Sequence, residues 1–288
     1  MNKNLLALVV ASLIGVATPV MAATFSSTST GGTVDINGEI VVPPAQGVWA
    51  WDTPIDQVMD STIAALSNGG KTLTMPAANN IMVIAGNMTD VVAGGVAGLS
   101  NNKVSIVLTD KNGKTVPITL DTVANSGKAK LTLPVTDDAG TNQIGTMKLP
   151  VKIAQGITMA AQADSFPTFL SAVSTNSPAG LFVNNGPYFN SATNALLPGL
   201  ANQWLSDMGI DISKITPKYN AKLSKTFPGS FNFGQGVSSD STSSPSYYYA
   251  GMYAMGVPKN DSVVIDFNNA ITTNTKWKTS LTVNITYL

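Results

Sequence analysis

The chain has 288 residues, with 16 Lys set against 16 Asp and Glu and no Arg, His or Cys. That set excludes His-based catalytic triads, His or Cys zinc sites and bidentate Arg clamps on phosphate, and a net charge of zero gives nucleic acid or anionic lipid nothing to be drawn to. Charged residues make up only 11% of the chain, against about a quarter in an average domain, so Ser, Thr, Asn and Gly fill the surface.

Lys3 supplies a positive n-region, Leu5 to Ala17 is apolar or small throughout, Pro19 ends that run, and Val20-Met21-Ala22 fits the small-x-small cleavage rule. The pattern predicts a secretory signal peptide over residues 1–22 and a mature chain from Ala23. A transmembrane anchor is the alternative, but the apolar run is shorter than the roughly 20 residues a span requires, and no Cys follows it to carry a lipid. Loss of Lys3 leaves 15 Lys against 16 carboxylates, a net charge of −1. An exported domain without Cys is held by its core and strand pairing rather than by disulfides.

A polar lead, Ser26 to Gly32, precedes Val34-Asp35-Ile36-Asn37-Gly38-Glu39-Ile40-Val41-Val42. Val34, Ile36, Ile40 and Val42 recur at the strand period, with Gly38 in the one gap. Residues 23–42 therefore read as an extended arm whose one apolar edge needs a groove, before the main domain at 43–288. The arm has two destinations: its own domain, as an ordinary first strand, or another molecule.

Past Pro43-Pro44 the chain reads as short strands between turns. Asp56 to Leu66 is either a helical turn ending at Asn68-Gly69-Gly70 or a loop. Lys103 to Thr109 and Thr115 to Leu120 flank Asp110-Lys111-Asn112-Gly113, which predicts a hairpin. Ala129 to Val135 and Gln143 to Ile153 form a second pair around an Asp/Gly-rich turn. Between Gly156 and about Thr216 the period changes. Phe166, Phe169, Leu170 and Val173 repeat at helical spacing, and Leu197, Leu200, Trp204 and Met208 do so after Pro198, which suits a first helical turn. This predicts two short helices inserted into the sandwich. Tyr247-Tyr248-Tyr249 with Met252, Tyr253 and Met255 reads as a strand with one aromatic face inward. Ser262 to Phe267 and Ser280 to Leu288 are two more strands. In the last, Leu281, Val283, Ile285 and Tyr287 alternate up to the penultimate residue. The expected fold class is all-β: an incomplete immunoglobulin-like β-sandwich lacking its last strand, with a small helical insertion. A groove beside the last strand would accept an arm of matching pattern by β-strand addition.

These residues resemble the periplasmic chaperone-usher pilins, specifically the FaeG-like adhesive major fimbrial subunits of enterotoxigenic Escherichia coli. The resemblance rests on Val34 to Gly38 as a donor strand and on Trp49-Ala50-Trp51. It rests also on Asn68-Gly69-Gly70-Lys71 with Leu73, and on Asn269 to Trp277 with Leu281 to Tyr287 as the last two strands. Through residues 156–245 only the presence of an insertion matches. The resemblance implies a subunit exported to the periplasm and capped by a chaperone strand. An outer-membrane usher would then polymerise identical subunits into a linear fimbrium on the cell surface. The donor residues would be Val34, Ile36, Gly38, Ile40 and Val42, and the groove strand would present Leu281, Val283, Ile285 and Tyr287. It also implies that the insertion holds a host glycoconjugate site; a minor or non-adhesive pilin of the same system is the alternative.

Sugars are held by aromatic faces with Asp or Asn beside them, on loops. Two stretches offer that mixture: Asp164 with Phe166, and Asn184, Asn185, Tyr188 and Phe189. Phe166, Phe169 and Trp204 serve equally well as anchors of the predicted helices. Glu39 is the only glutamate and no His or Cys is present, so neither an enzyme nor a cofactor or metal is expected.

Overall fold

Apolar and polar side chains alternate along most of this chain, interrupted every few residues by Asn, Asp, Gly or Pro, and that is what carries it into strands. The computed structural model describes residues 32–41, 48–52, 57–61, 66–99, 101–174, 178–183, 186–189, 191–239, 242–273 and 275–288; for 32–41 and 57–61 the description is of the backbone. The expected signal peptide, the start at Ala23, Val42 and the Pro43-Pro44 break lie outside these residues.

In chain order the described strands begin with β1 (Gly32–Val41), β2 (Trp49–Asp52), β3 (Gln57–Ser61), β4 (Leu66–Ser67), β5 (Thr72–Pro76) and β6 (Ile81–Met88). Then come β7 (Val92–Ala93), β8 (Val104–Thr109), β9 (Ile118–Leu120), β10 (Lys128–Asp137), β11 (Gln143–Ala160) and β12 (Thr168–Val173). Two helices follow, α1 (Pro198–Asp207) and α2 (Thr216–Leu223), before β13 (Asn232–Ser239), β14 (Tyr248–Val257), β15 (Ser262–Phe267) and β16 (Trp277–Tyr287). One layer runs β3-β1-β16-β8 and the other β2-β6-β14-β11-β10, and the start of β16 joins the end of the second at β10. This is an all-β sandwich with a small helical insertion.

The 18-residue strand β11 is the spine of the second layer. Its first half pairs with β10 and β15, and its second half with β14 and β12. The expected pairing of Ala129 to Val135 with Gln143 to Ile153 is the β10–β11 ladder, with Leu131 opposite Leu149 and Leu133 opposite Met147. All four are buried.

Four expectations change. Phe166 to Val173 is not helical: Thr168 to Ser171 pairs with Met159 to Gly156 as β12. Four apolar residues within eight fit either period. Here, Pro167 upstream and β-strand partners on both edges decide for the strand. The stretch at Asp56 to Leu66, read as helical turn or loop, contains β3, antiparallel to β1. The hairpin after β8 closes only briefly. Asp110 Oδ1 accepts from the Asn112 and Lys114 amides at 2.8 and 3.0 Å, and the Val116 amide donates to Leu108 O at 2.9 Å. Pro117 then has no amide to continue the ladder, and β9 pairs with β10 instead. Finally, β14 is buried on both faces, from Tyr249 through Val257, rather than on one aromatic face, because strands flank it and side chains cover it above and below.

The expected helix at Leu197 to Met208 is α1, with Pro198 in its first turn and Gly209, at φ +83°, just beyond its end. Ala201, Trp204 and Leu205 are buried, and Trp204 Nε1 donates to Lys152 O at 3.0 Å. Helix α2 was not foreseen. Its fully buried Tyr219 donates to Thr158 Oγ1 at 2.9 Å, and Thr158 Oγ1 donates to Ala250 O at 3.3 Å. The helices are thus tied by hydrogen bonds to β11 and β14, and burial pushes the Tyr219 phenol far above its ordinary range.

Candidate assembly groove and adhesive surface

Strand β16 alternates as its sequence requires. Trp277, Thr279, Leu281, Val283 and Ile285 are buried, and the residues between them are half-buried or exposed. Burying each large apolar side chain contributes about 1.5–3 kcal/mol. One edge of β16 pairs antiparallel with β8, from Thr282 opposite Thr109 to Tyr287 opposite Val104. The other edge pairs with the arm β1 of the same chain, in parallel, from Ile36 opposite Thr279 to Val41 opposite Asn284. Ile36, Gly38 and Ile40 occupy the register positions of Thr279, Leu281 and Val283, all buried. Val34 stands opposite Met59 of β3.

Tyr287, last of the alternating set, is half-buried, and its hydroxyl accepts a hydrogen bond from Trp51 Nε1 at 3.0 Å. Burial pushes the Tyr287 phenol up, and the Trp51 bond partly opposes this. Period two puts Trp49 and Trp51 on one face of β2, where their rings stack at 5.0 Å and 11°. Trp49 Nε1 donates to Asn102 O at 2.8 Å. Two glycines make room for the pair. A Cβ on Gly86 would lie 2.1 Å from Trp51 Cε3, and one on Gly251 2.7 Å from Trp49 Cη2. The Trp-x-Trp segment therefore fixes the Tyr287 end of the groove strand to the second layer.

The candidate sugar-binding residues separate. Tyr188 and Phe189 are 4% and 2% exposed and belong to the core. The Tyr188 hydroxyl accepts from the Ile106 amide at 3.0 Å, and its ring meets Tyr253 edge-on at 5.6 Å. Neither ring offers a face to a ligand, which corrects that part of the expectation. Asn184 and Asn185 lie outside the described residues. Asp164 closes the turn after β11, accepting from the Ala161 amide at 2.8 Å. Phe166, in the same turn, is 38% exposed.

Sequence reasoning missed Phe233, which is 42% exposed on β13, with its ring 5.7 Å from that of Phe169. Strand β13 pairs only with β12 among the described residues, so Phe233 stands at a sheet edge. Its Gly/Ser-rich surroundings gave no strand signal strong enough to single it out. Leu197 and Leu200 are also exposed, at the start of α1, which packs on β11, β12 and β13. The helical insertion thus presents apolar side chains outward, while the groove strand turns its apolar side chains in. Among the described residues no group of three or more Asp or Glu could hold a metal ion, and no helix is long and apolar enough to cross a membrane.

Comparison with known proteins fits this geometry. The K88 family model, described as fimbrial, major and minor subunit, matches residues 1–288. The chain belongs to this family of fimbrial subunits. It is 26% identical to K88 fimbrial protein AD and 25% identical to K88 fimbrial protein AB of Escherichia coli, in each case over 100% of both chains. The F41 fimbrial protein of Escherichia coli is 21% identical, also over 100% of both.

Proposed function

We propose that this fimbrial subunit polymerises by donor-strand exchange and is itself adhesive. The arm, through Val34, Ile36, Gly38, Ile40 and Val42, enters the groove of the next subunit and lies against Leu281, Val283, Ile285 and Tyr287. One observation carries the reading: among the described residues β16 pairs with β10 at Trp277 and Lys278 and with β8 from Thr282 to Tyr287, while the arm pairs with it from Thr279 to Asn284. That arm is joined to the domain through residues 42–48, so the same pairing is available to the arm of another copy.

Residues 1–22 direct the chain to the periplasm, where a chaperone strand occupies the groove until the outer-membrane usher passes the subunit into a surface fimbrium. Adhesion to host glycoconjugate rests on the insertion with its Phe166 and on the neighbouring Phe233, both exposed aromatic residues of the kind that stack on sugar C–H groups.

The test is to express the mature chain with and without residues 23–42 in a periplasm with its chaperone and usher, and to examine it by electron microscopy and heat-resistant gel bands. Long heat-resistant polymers from the full chain alone are expected. Equal polymers without the arm would overturn donor-strand exchange. Adhesion is tested separately, by the binding of Phe166→Ala and Phe233→Ala fimbriae to host cells.

A further inference from the structure

We infer that a subunit outside a fimbrium and free of its chaperone closes its own groove with its own arm, in a weak parallel latch that keeps it inert toward other copies until the arm is drawn out. The latch itself is read from the strand registers; its consequence for assembly rests on the donor-strand reading above.

The arm divides its pairing between two neighbours. Gly32 to Ile36 pairs antiparallel with Ser61 to Gln57 of β3, and Ile36 to Val41 pairs in parallel with Thr279 to Asn284 of β16. Among the described residues Ile36 pairs on both sides, and Gly32 to Asp35 have no pairing partner on the β16 side. The pairing against β16 is of the parallel kind, the less stable per residue.

Proximity compensates for the poor ladder. The arm belongs to the same chain as its groove, and covalent linkage raises the effective concentration of one segment at the other, to the order of millimolar for short linkers. At micromolar subunit concentration the chain's own arm reaches the groove before another subunit's does. A neighbour's arm, not confined to that parallel register, displaces the latch once brought close. The closed form therefore suppresses spontaneous polymerisation without blocking assisted assembly.

The absence of Cys makes the register testable. Glu39 stands opposite Thr282, and adjacent strands are about 4.8 Å apart, within disulfide reach. Glu39→Cys with Thr282→Cys in the full mature chain should, on mild oxidation of monomer, give one intramolecularly bridged species 2 Da lighter than the dithiol. Polymer yield should fall at least about tenfold and recover on reduction. A ladder of intermolecular disulfides, or free thiols throughout with normal polymers, would overturn the latch. Hydrogen exchange on the unaltered monomer gives a second reading: those amides of Thr279 to Asn284 that face the arm rather than β8 should be protected, and should lose that protection when residues 23–41 are deleted. Protection unchanged by the deletion also overturns it. Failure of donor-strand exchange itself looks different, because polymers would then survive loss of the arm.

Discussion

Strands β14 and β16 are both long and apolar, yet they are secured in different ways. β14 is buried on both faces and lies between β11 and β6, strands that have no other place to go. β16 buries one face only, and from Thr279 to Asn284 one of its edges pairs with the arm β1. On the donor-strand reading proposed above, only the second arrangement changes partners. On that reading the central strand gives stability and the arm-paired edge gives assembly.

The sharpest way to break the comparison is at Tyr253 of β14. Its ring is fully buried, and its hydroxyl donates to Pro187 O at 2.8 Å. Tyr253→Ala should cost about 3–5 kcal/mol, read as a fall in the denaturation midpoint of the monomer, with little subunit exported. A loss under about 1 kcal/mol would mean that β14 is not the rigid member of the pair.

Gly38→Asp tests the other member. Carboxylate at the register position of the buried Leu281 should abolish fibres while leaving the monomer far more stable than Tyr253→Ala leaves it. If both variants unfold alike, β1 is an ordinary first strand. A smaller effect is expected where the two layers meet. Trp51→Phe removes the bond to Tyr287 Oη and should cost about 0.5–1.5 kcal/mol. Because that bond holds the phenol down against burial, its loss should move the Tyr287 titration further up in alkaline absorbance measurements.

How much of this was legible in sequence follows from the physics of each element. The β10–β11 ladder and β16 could be read because a period of two over seven or more residues has no helical counterpart. Phe166 to Val173 could not, because a short apolar cluster has no unique period and its partners on β11 and β13 are set by tertiary contact. Tyr188 and Phe189 looked like loop aromatics beside Asn and Gly, yet the segment folds inward so that Tyr188 caps the Ile106 amide. No local signal separates an aromatic that packs from one that binds. Phe233 is the converse, a residue exposed by its place on an edge strand. Phe166→Ala and Phe233→Ala should therefore leave the denaturation midpoint within about 1 kcal/mol, while reducing cell binding. Unchanged binding would move the adhesive site off this surface.

The smallest effect concerns β15, on the opposite edge of β11 from β10. The Lys148 ammonium, donating to Asp266 at 2.8 Å, holds that carboxyl below its ordinary range; slight burial opposes this, and the Thr72 hydroxyl at 3.1 Å supports it. A carboxyl depressed in the folded state adds stability that is present above the unfolded value of about 3.9 and is lost as pH falls through the lower folded value. Asp266 is 43% exposed, so solvent screening limits the contribution to under about 1 kcal/mol. Asp266→Asn should therefore lower the thermal midpoint slightly at pH 7, and the two proteins should converge toward pH 2. Raising salt to 1 M should shrink the difference at pH 7, because the pair is exposed to the solvent. A gap that persists at pH 2 would assign the effect to strand packing rather than charge. Because this rung lies in the layer that keeps its partners, the same shift is expected in monomer and fimbria; a shift seen only in fimbriae would mean that assembly reaches beyond β16.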